Sequence, residues 1–352
     1  TELESLMQGV DRFEAEPWSI DGFAIVDDRV YIDGWAFPEA QNPITTRFSI
    51  NGKAAQTAVA VDRPDVAALF ARRKHARHCG FHLEHLLTSS ESLLDIHCAS
   101  LYDTPRNRAR NSVFVPLKGA ALERPVPSAE QRYRVIGNRD LDGFLRIGST
   151  DAQKLLALIR VDFPDLSELR VLDWGVGCGR IARHVCDSFG AFTGVDIDAD
   201  NVRWCADNLP GRYMTIGLRD GTRFADGSFD AIYGVSVFTH LREELQNLWL
   251  AELRRLLRPG GRAYVTVHGT TAVEYGCRAP AETEAALARL RREGFFIASE
   301  NTQLAGYVPE PDEYLNVFHH ADYIRDRWLP GFRNLEIIPG YIYTHDLVVL
   351  QR

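Results

Sequence analysis

The chain has 352 residues, 45% of them hydrophobic and 25% charged, with a formal net charge of −8. That is the make-up of an ordinary globular protein with room for two domains, and the acidic balance argues against a large phosphate-tracking, nucleic-acid-binding surface. The six cysteines, Cys79, Cys98, Cys178, Cys186, Cys205 and Cys277, show no C-x-x-C pairing, so neither a metal knuckle nor a disulfide framework is expected and reduced thiols are. The first residues, Thr1-Glu2-Leu3-Glu4-Ser5, lack the basic and apolar regions of a secretion signal, and no apolar run approaches the ~18–20 residues of a membrane span. A cytoplasmic protein without a membrane span is expected.

From about residue 18 to 116 the chain reads as short strands separated by turn residues. Phe23–Val26 and Arg29–Ala36 flank Asp27-Asp28, and Arg47–Ile50 runs into Asn51-Gly52, a strong hairpin signal. Leu94–Cys98 and Val113–Val115 alternate in the same way, with a helical stretch at Asp65–Arg73 between. The basic run Arg72–His78 is short and reads as a solvated helix end. Residues 1–118 are therefore expected to form a small β-rich sandwich or barrel with no catalytic cluster. Residues 119–150, opened by Pro116, Pro125 and Pro127, read as a linker and covering segment.

From 151 to 352 the period changes. An apolar helix at Ala152–Ile159 precedes strands at Arg170–Trp174, Ala191–Ile197, Tyr213–Leu218, Asp230–Val237 and Arg262–His268, with helices at about Ile181–Phe189, Asp200–Asn208 and Leu241–Leu257. This alternation predicts an α/β, Rossmann-like doubly wound sheet. Leu335–Ile342 and Asp346–Leu350 predict a closing antiparallel strand pair.

The informative segment is Val171-Leu172-Asp173-Trp174-Gly175-Val176-Gly177-Cys178-Gly179-Arg180. An apolar strand ends in an acid, glycine recurs every second residue, and a helix follows. Such a loop turns sharply, admits a ligand to the backbone and offers free N–H groups at a helix start. A dinucleotide fingerprint spaces its glycines G-x-G-x-x-G; here the spacing is G-x-G-x-G and Arg180 stands where the third glycine would be. Asp196, ending the second strand, can accept hydrogen bonds from a ribose in either case, so the loop decides.

Residues 130–352 resemble the class I S-adenosylmethionine-dependent methyltransferases. The resemblance rests on residues 171–179, on Gly194-Val195-Asp196-Ile197-Asp198, on Phe224–Asp230, on Ser236–Leu241 and on Leu257-Arg258-Pro259-Gly260-Gly261, in register. It implies S-adenosyl-L-methionine as cofactor, with Asp173, Gly175, Gly177 and Gly179 at its methionine end, Asp196 at its ribose and Ile197 against its adenine. Ser236 belongs to the matching stretch after strand four and is expected at the cofactor. Leu218 occupies the position where the family often has an acid for the adenine amino group, and Asp220 is the nearest substitute. The Asn/Asp-Pro-Pro-Tyr/Phe motif of nucleobase and amide methylation is replaced by Gly234-Val235-Ser236-Val237.

A hydroxyl acceptor needs a base, and the expected catalytic residues are His240, His319, His320 and Asp322; His268 and His345 also lie beyond strand ends. The insertion 270–331, rich in aromatics, reads as a lid or substrate platform, and the segment 134–148 as a cover on the other side of the cofactor. Ile32–Ala36 and Arg63–Val66 look like small β-domains of bacterial polysaccharide-modifying enzymes. The expectation is O-methylation of a sugar or small-molecule hydroxyl, with a glycan or small molecule as acceptor and the N-terminal domain contacting substrate or a protein partner. A natural-product N- or O-methyltransferase and a non-catalytic cofactor-binding scaffold remain alternatives.

Overall fold

The computed structural model describes residues 18–37, 47–69, 76–100, 103–276, 280–304, 306–307 and 313–352. The chain divides into two compact units that meet between Gly119 and Ala120. Cys277 and residues 72–75 of the basic run lie outside the described residues.

The first unit contains strands β1 (Trp18–Val26), β2 (Arg29–Ala36), β3 (Phe48–Ile50), β4 (Lys53–Ala54), β5 (Gln56–Val61), β6 (Gly80–Leu86), β7 (Leu93–Cys98) and β8 (Ser112–Pro116), with a short helix α1 (Pro64–Leu69). They make two four-stranded sheets, ordered β1-β2-β6-β5 and β4-β3-β7-β8. The inward positions of both, among them Val30, Ile32, Leu83, Phe48 and Ile96, share one core, so the unit is a sandwich. Asn51 and Gly52 both take positive φ (50° and 76°), the turn that the β3–β4 hairpin's twist requires. Gly34 is needed for packing: a Cβ there would stand 2.5 Å from the ring of Phe81.

The second unit begins with helices α2 (Ala120–Glu123), α3 (Ala129–Ile136) and α4 (Leu141–Asp162). The linker expected over 119–150 is therefore corrected to helical structure. The prolines bracket helices here rather than interrupt them. Ser128 and Gln131 form a reciprocal capping box at the start of α3. The Asp140 carboxylate accepts from the Gly143 N–H and starts α4 well before Ala152.

Beyond α4 come β9 (Arg170–Trp174), α5 (Ala182–Val185), β10 (Ala191–Asp196), α6 (Ala199–Asn208), β11 (Arg212–Thr215), β12 (Phe229–Gly234), α7 (Glu243–Leu256) and β13 (Leu257–Val267). An insertion follows: α8 (Thr270–Gly276), α9 (Pro280–Glu293), the hairpin β14 (Phe295–Glu300) and β15 (Leu315–His319), and α10 (Ala321–Trp328). The chain then closes with β16 (Asn334–Ile342) and β17 (His345–Gln351). The seven-stranded sheet has the order β11-β10-β9-β12-β13-β17-β16. Its first five strands are parallel, while β17 runs antiparallel to β13 and to β16. This is the doubly wound sheet with a closing antiparallel pair that the apolar strand runs predict. Its core joins Leu172, Ile232, Val265 and Val348 of the strands to Trp249 and Leu253 of α7. The strand order reverses between β9 and β12, and the crevice beyond the carboxyl ends of these strands is where such sheets bind ligands.

Arg183 ties the start of the unit to this frame. Its side chain is fully buried and donates to the backbone carbonyls of Ala121, Arg124 and Pro125. Arg183→Ala strands those carbonyls and should lower unfolding free energy by about 3 kcal/mol in urea titrations. A loss below about 1 kcal/mol contradicts the clamp.

Candidate active site

At the switch point the Gly175–Gly179 loop leaves β9 with all three glycines at positive φ (89°, 53° and 75°). The loop is packed so closely that side chains are excluded. A Cβ on Gly175 would lie 2.4 Å from Val237, one on Gly177 2.8 Å from Val135, and one on Gly179 2.4 Å from Leu209. The N–H groups of Gly175 and Val176 donate to the Val195 carbonyl on β10. The Gly177 N–H donates to Asp196 Oδ2 at 2.7 Å, and the Asp198 N–H to Asp196 Oδ1 at 2.9 Å. Burial raises the Asp196 carboxyl to about 6, against these backbone donors, which pull it down.

The loop opens into a cavity of about 540 Å³, within the ~300–1,000 Å³ of small-molecule sites. Gly175, Gly177, Asp196, Ile197 and Ser236 line it, as do Ile216, Leu218 and Trp249. Ile197, Ile216 and Leu218 give one part of the wall an apolar surface suited to a flat base. Leu218 lines the cavity while Asp220 does not; Asp220 is exposed. Asp173 and Gly179 lie just behind the lining. Asp173 is buried and accepts a hydrogen bond from the Tyr233 hydroxyl at 2.7 Å. Burial pushes its carboxyl up to about 8.

α3 and the segment Thr302–Leu304 supply the opposite wall through Arg134–Gly137, Gln303 and Leu304. Arg134 anchors it: its guanidinium donates to Asp198 at 2.8 Å, Asp200 at 2.6 Å and Asn201 at 3.2 Å, and lies 4.0 Å from the ring centre of Tyr307. The Gln303 side-chain amide donates to the Tyr133 carbonyl at 2.8 Å. Arg180, at the start of the helix behind the loop, pairs with Asp151, and its Nε is buried without a hydrogen-bond partner among the described residues. A ligand carboxylate at the loop fits that donor and the helix start.

The remaining end is a wall of histidines: His240, His268 and His345 all line the cavity. His240 follows β12, and its Nδ1–H donates to the Leu315 carbonyl at 2.7 Å. Its Nε2 is thereby left to accept and lies 3.3 Å from Ser236 Oγ. Ser236 is a non-glycine residue at φ 60°, held by its N–H to Thr266 Oγ1 at 2.8 Å. The Tyr314 ring stacks on His240 at 4.1 Å. Burial pushes the His240 imidazole down to about 3.

The other expected catalytic residues stand elsewhere. His319 is buried on the far side of β15, where Nε2–H donates to Gln246 Oε1 at 3.0 Å. His320 caps α10, accepting from the Asp322 N–H, and Asp322 projects to solvent beside Arg325. None of the three lines the cavity. Along β15 the side chains alternate, so Asn316 reaches the cavity while Leu315, Val317 and His319 are buried. Tyr314 and Arg134 have site positions that no motif in the sequence announces as such.

Residues 172–265 match the family model described as a methyltransferase domain. Solved structures with similar folds include a SAM-dependent methyltransferase from Methanosarcina mazei, 17% identical over 55% of this chain and 96% of that one, TM-score 0.40. Another is magnesium protoporphyrin IX methyltransferase from Synechocystis with bound SAH, 17% identical over 63% and 93%, TM-score 0.41. A third is 1,6-didemethyltoxoflavin-N1-methyltransferase from Burkholderia thailandensis, 14% identical over 76% and 98%, TM-score 0.42. The family match places a methyltransferase domain at residues 172–265, a stretch that takes in the glycine loop, Asp196 and Ser236. Among the described residues no helix is long and apolar enough to cross a membrane.

We propose that Asp196 accepts from the cofactor's ribose hydroxyls as the carboxylate, while it also accepts from two backbone N–H groups. Because burial raises its carboxyl to about 6, affinity for S-adenosylhomocysteine should fall as pH drops through about 6 and hold above it. Calorimetry across pH 5–8 checks this. Asp196→Asn should weaken binding by about 1–3 kcal/mol and flatten the pH dependence; an unchanged profile in that variant contradicts the assignment.

Proposed function

We propose that the protein transfers the methyl group of S-adenosylmethionine to a hydroxyl of a sugar or other small or glycan-linked acceptor. The observation that carries this reading is His240: an imidazole with its tautomer fixed by the Leu315 carbonyl, its Nε2 left to accept, in the same cavity as the glycine loop and Asp196.

The cofactor supplies an activated methyl carbon on a sulfonium. The protein must hold the acceptor oxygen in line, exclude water and take a proton. His240 Nε2 and Ser236 Oγ stand together at the cavity wall to orient such a hydroxyl. A hydroxyl proton becomes strongly acidic only as its oxygen gains the new bond, so an imidazole of low basicity still receives it late in the step. Low basicity also keeps His240 neutral and ready to accept at every pH above about 4, given its pKa near 3. The sugar subtype draws support from the sandwich-forming N-terminal unit and its Ile32–Ala36 and Arg63–Val66 segments, and we assign that unit to contact with a glycan chain or partner protein.

His240→Ala should lower kcat for a hydroxyl acceptor by about 10²–10⁴-fold, with affinity for S-adenosylhomocysteine changed by only a small factor. Full turnover in that variant removes His240 from the chemistry and favours transfer to a neutral amine, which needs no base. Since burial drives His240 below the working range, kcat should show no inflection from this group between pH 5 and 8.

A further inference from the structure

The reaction proposed above uses one histidine, yet three line the same end of the cavity. His268 repeats the arrangement of His240. It follows the carboxyl end of β13, and its Nδ1 lies 3.2 Å from the Val317 carbonyl, so that nitrogen carries the proton. Nε2 of His268 is left as an acceptor with no other hydrogen bond among the described residues. The two rings stand nearly perpendicular, 88° apart, with centres separated by 6.2 Å. His345, at the start of β17, sets its ring edge-to-face against His268 at 4.8 Å, and its buried Nδ1 has no hydrogen-bond partner among the described residues. Among the described residues no group of histidines, cysteines and carboxylates has the arrangement to hold a metal ion.

His240 and His268 present neutral acceptors to the cavity. Burial lowers the basicity of His240, His268 and His345 alike. Two acceptors fixed by adjacent strand ends match a molecule that brings two donors side by side. With hydrogen bonds of about 2.8 Å to each ring, two hydroxyls on neighbouring carbons span rings whose centres are 6.2 Å apart.

We infer that the acceptor is a vicinal diol, one hydroxyl held by His268 while its neighbour is presented to His240 for methylation. His268 acts as a specificity residue that recognises the hydroxyl left unmethylated. The product is a mono-ether, since methylating one oxygen removes a donor and the product no longer satisfies both rings. This inference rests on the hydroxyl-transfer reading but has its own readout, because recognition of a diol is measurable without turnover.

The test loads the full chain with S-adenosylhomocysteine and titrates matched probes: cis-1,2-cyclohexanediol against cyclohexanol, tetrahydropyran-3,4-diol against tetrahydropyran-4-ol, and catechol against phenol. The expected result is binding of the diol about tenfold or more tighter than its partner in at least one pair, the cost of leaving a buried acceptor unpaired. The pair that shows it separates a sugar-like from an aromatic diol. His268→Leu should abolish the preference, and His268→Gln, whose amide oxygen still accepts, should restore part of it. Equal binding across all pairs, or a preference that survives in His268→Leu, overturns the inference. Labelled methyl transfer from S-adenosylmethionine to the same probes then tests the reaction separately. A His268-dependent diol preference without ether formation leaves diol recognition standing and defeats hydroxyl transfer.

Discussion

The contact on which the site depends is the one from the Gly177 N–H to the Asp196 carboxylate. It joins the loop after β9 to the end of β10. β9 borders the point between β9 and β12 where the strand order reverses, β10 lies on its other side, and each strand alone presents only half of a binding surface. The carboxylate is half-buried, so its charge is costly without donors; the Gly177 and Asp198 backbone N–H groups supply them. The same constraint explains the glycines. A loop that turns back far enough to offer Gly177 to Asp196 needs positive φ at alternate residues and leaves no space for a Cβ against Val237, Val135 or Leu209.

The second tier of structure closes around that contact. Arg134 on α3 grips Asp198, Asp200 and Asn201 immediately after it, and Tyr307 covers the guanidinium. Two carboxylates, an amide oxygen and an aromatic face make a buried arginine tolerable. The histidine end is built on the opposite logic: neutral rings whose N–H groups are taken by the carbonyls of β15. One cavity thus offers charged groups and helix-start donors at one end and uncharged acceptors at the other, a division suited to a charged cofactor and an uncharged nucleophile.

Much of this was legible in the sequence because it is local. The apolar runs Arg170–Trp174, Ala191–Ile197 and Asp230–Val237 overlap the strands Arg170–Trp174, Ala191–Asp196 and Phe229–Gly234, and the alternating glycines mark the loop. In the first unit the Asn51-Gly52 hairpin was equally plain, whereas β5, built of small residues, carries little pattern. The segment 119–150 was misread because its prolines look like breakers, although Ser128 and Gln131 spell a capping box. The catalytic candidates divide by parity and partner. His319 and Asn316 sit on opposite faces of one strand, and only three-dimensional pairing with β14 and the body of the unit tells which face meets the cavity. Stacking of Tyr314 on His240 joins residues far apart in the chain and leaves no local trace.

The roles of Asp196, His240 and His268 all depend on the direction in which the cofactor lies across the switch point. A crystal structure of the S-adenosylhomocysteine complex tests it most directly. It should show the ribose hydroxyls on Asp196, the base between Ile197 and Leu218, and the sulfur facing the wall of His240 and His268. A ligand bound with its sulfur turned away from those histidines, or held outside the cavity, contradicts it.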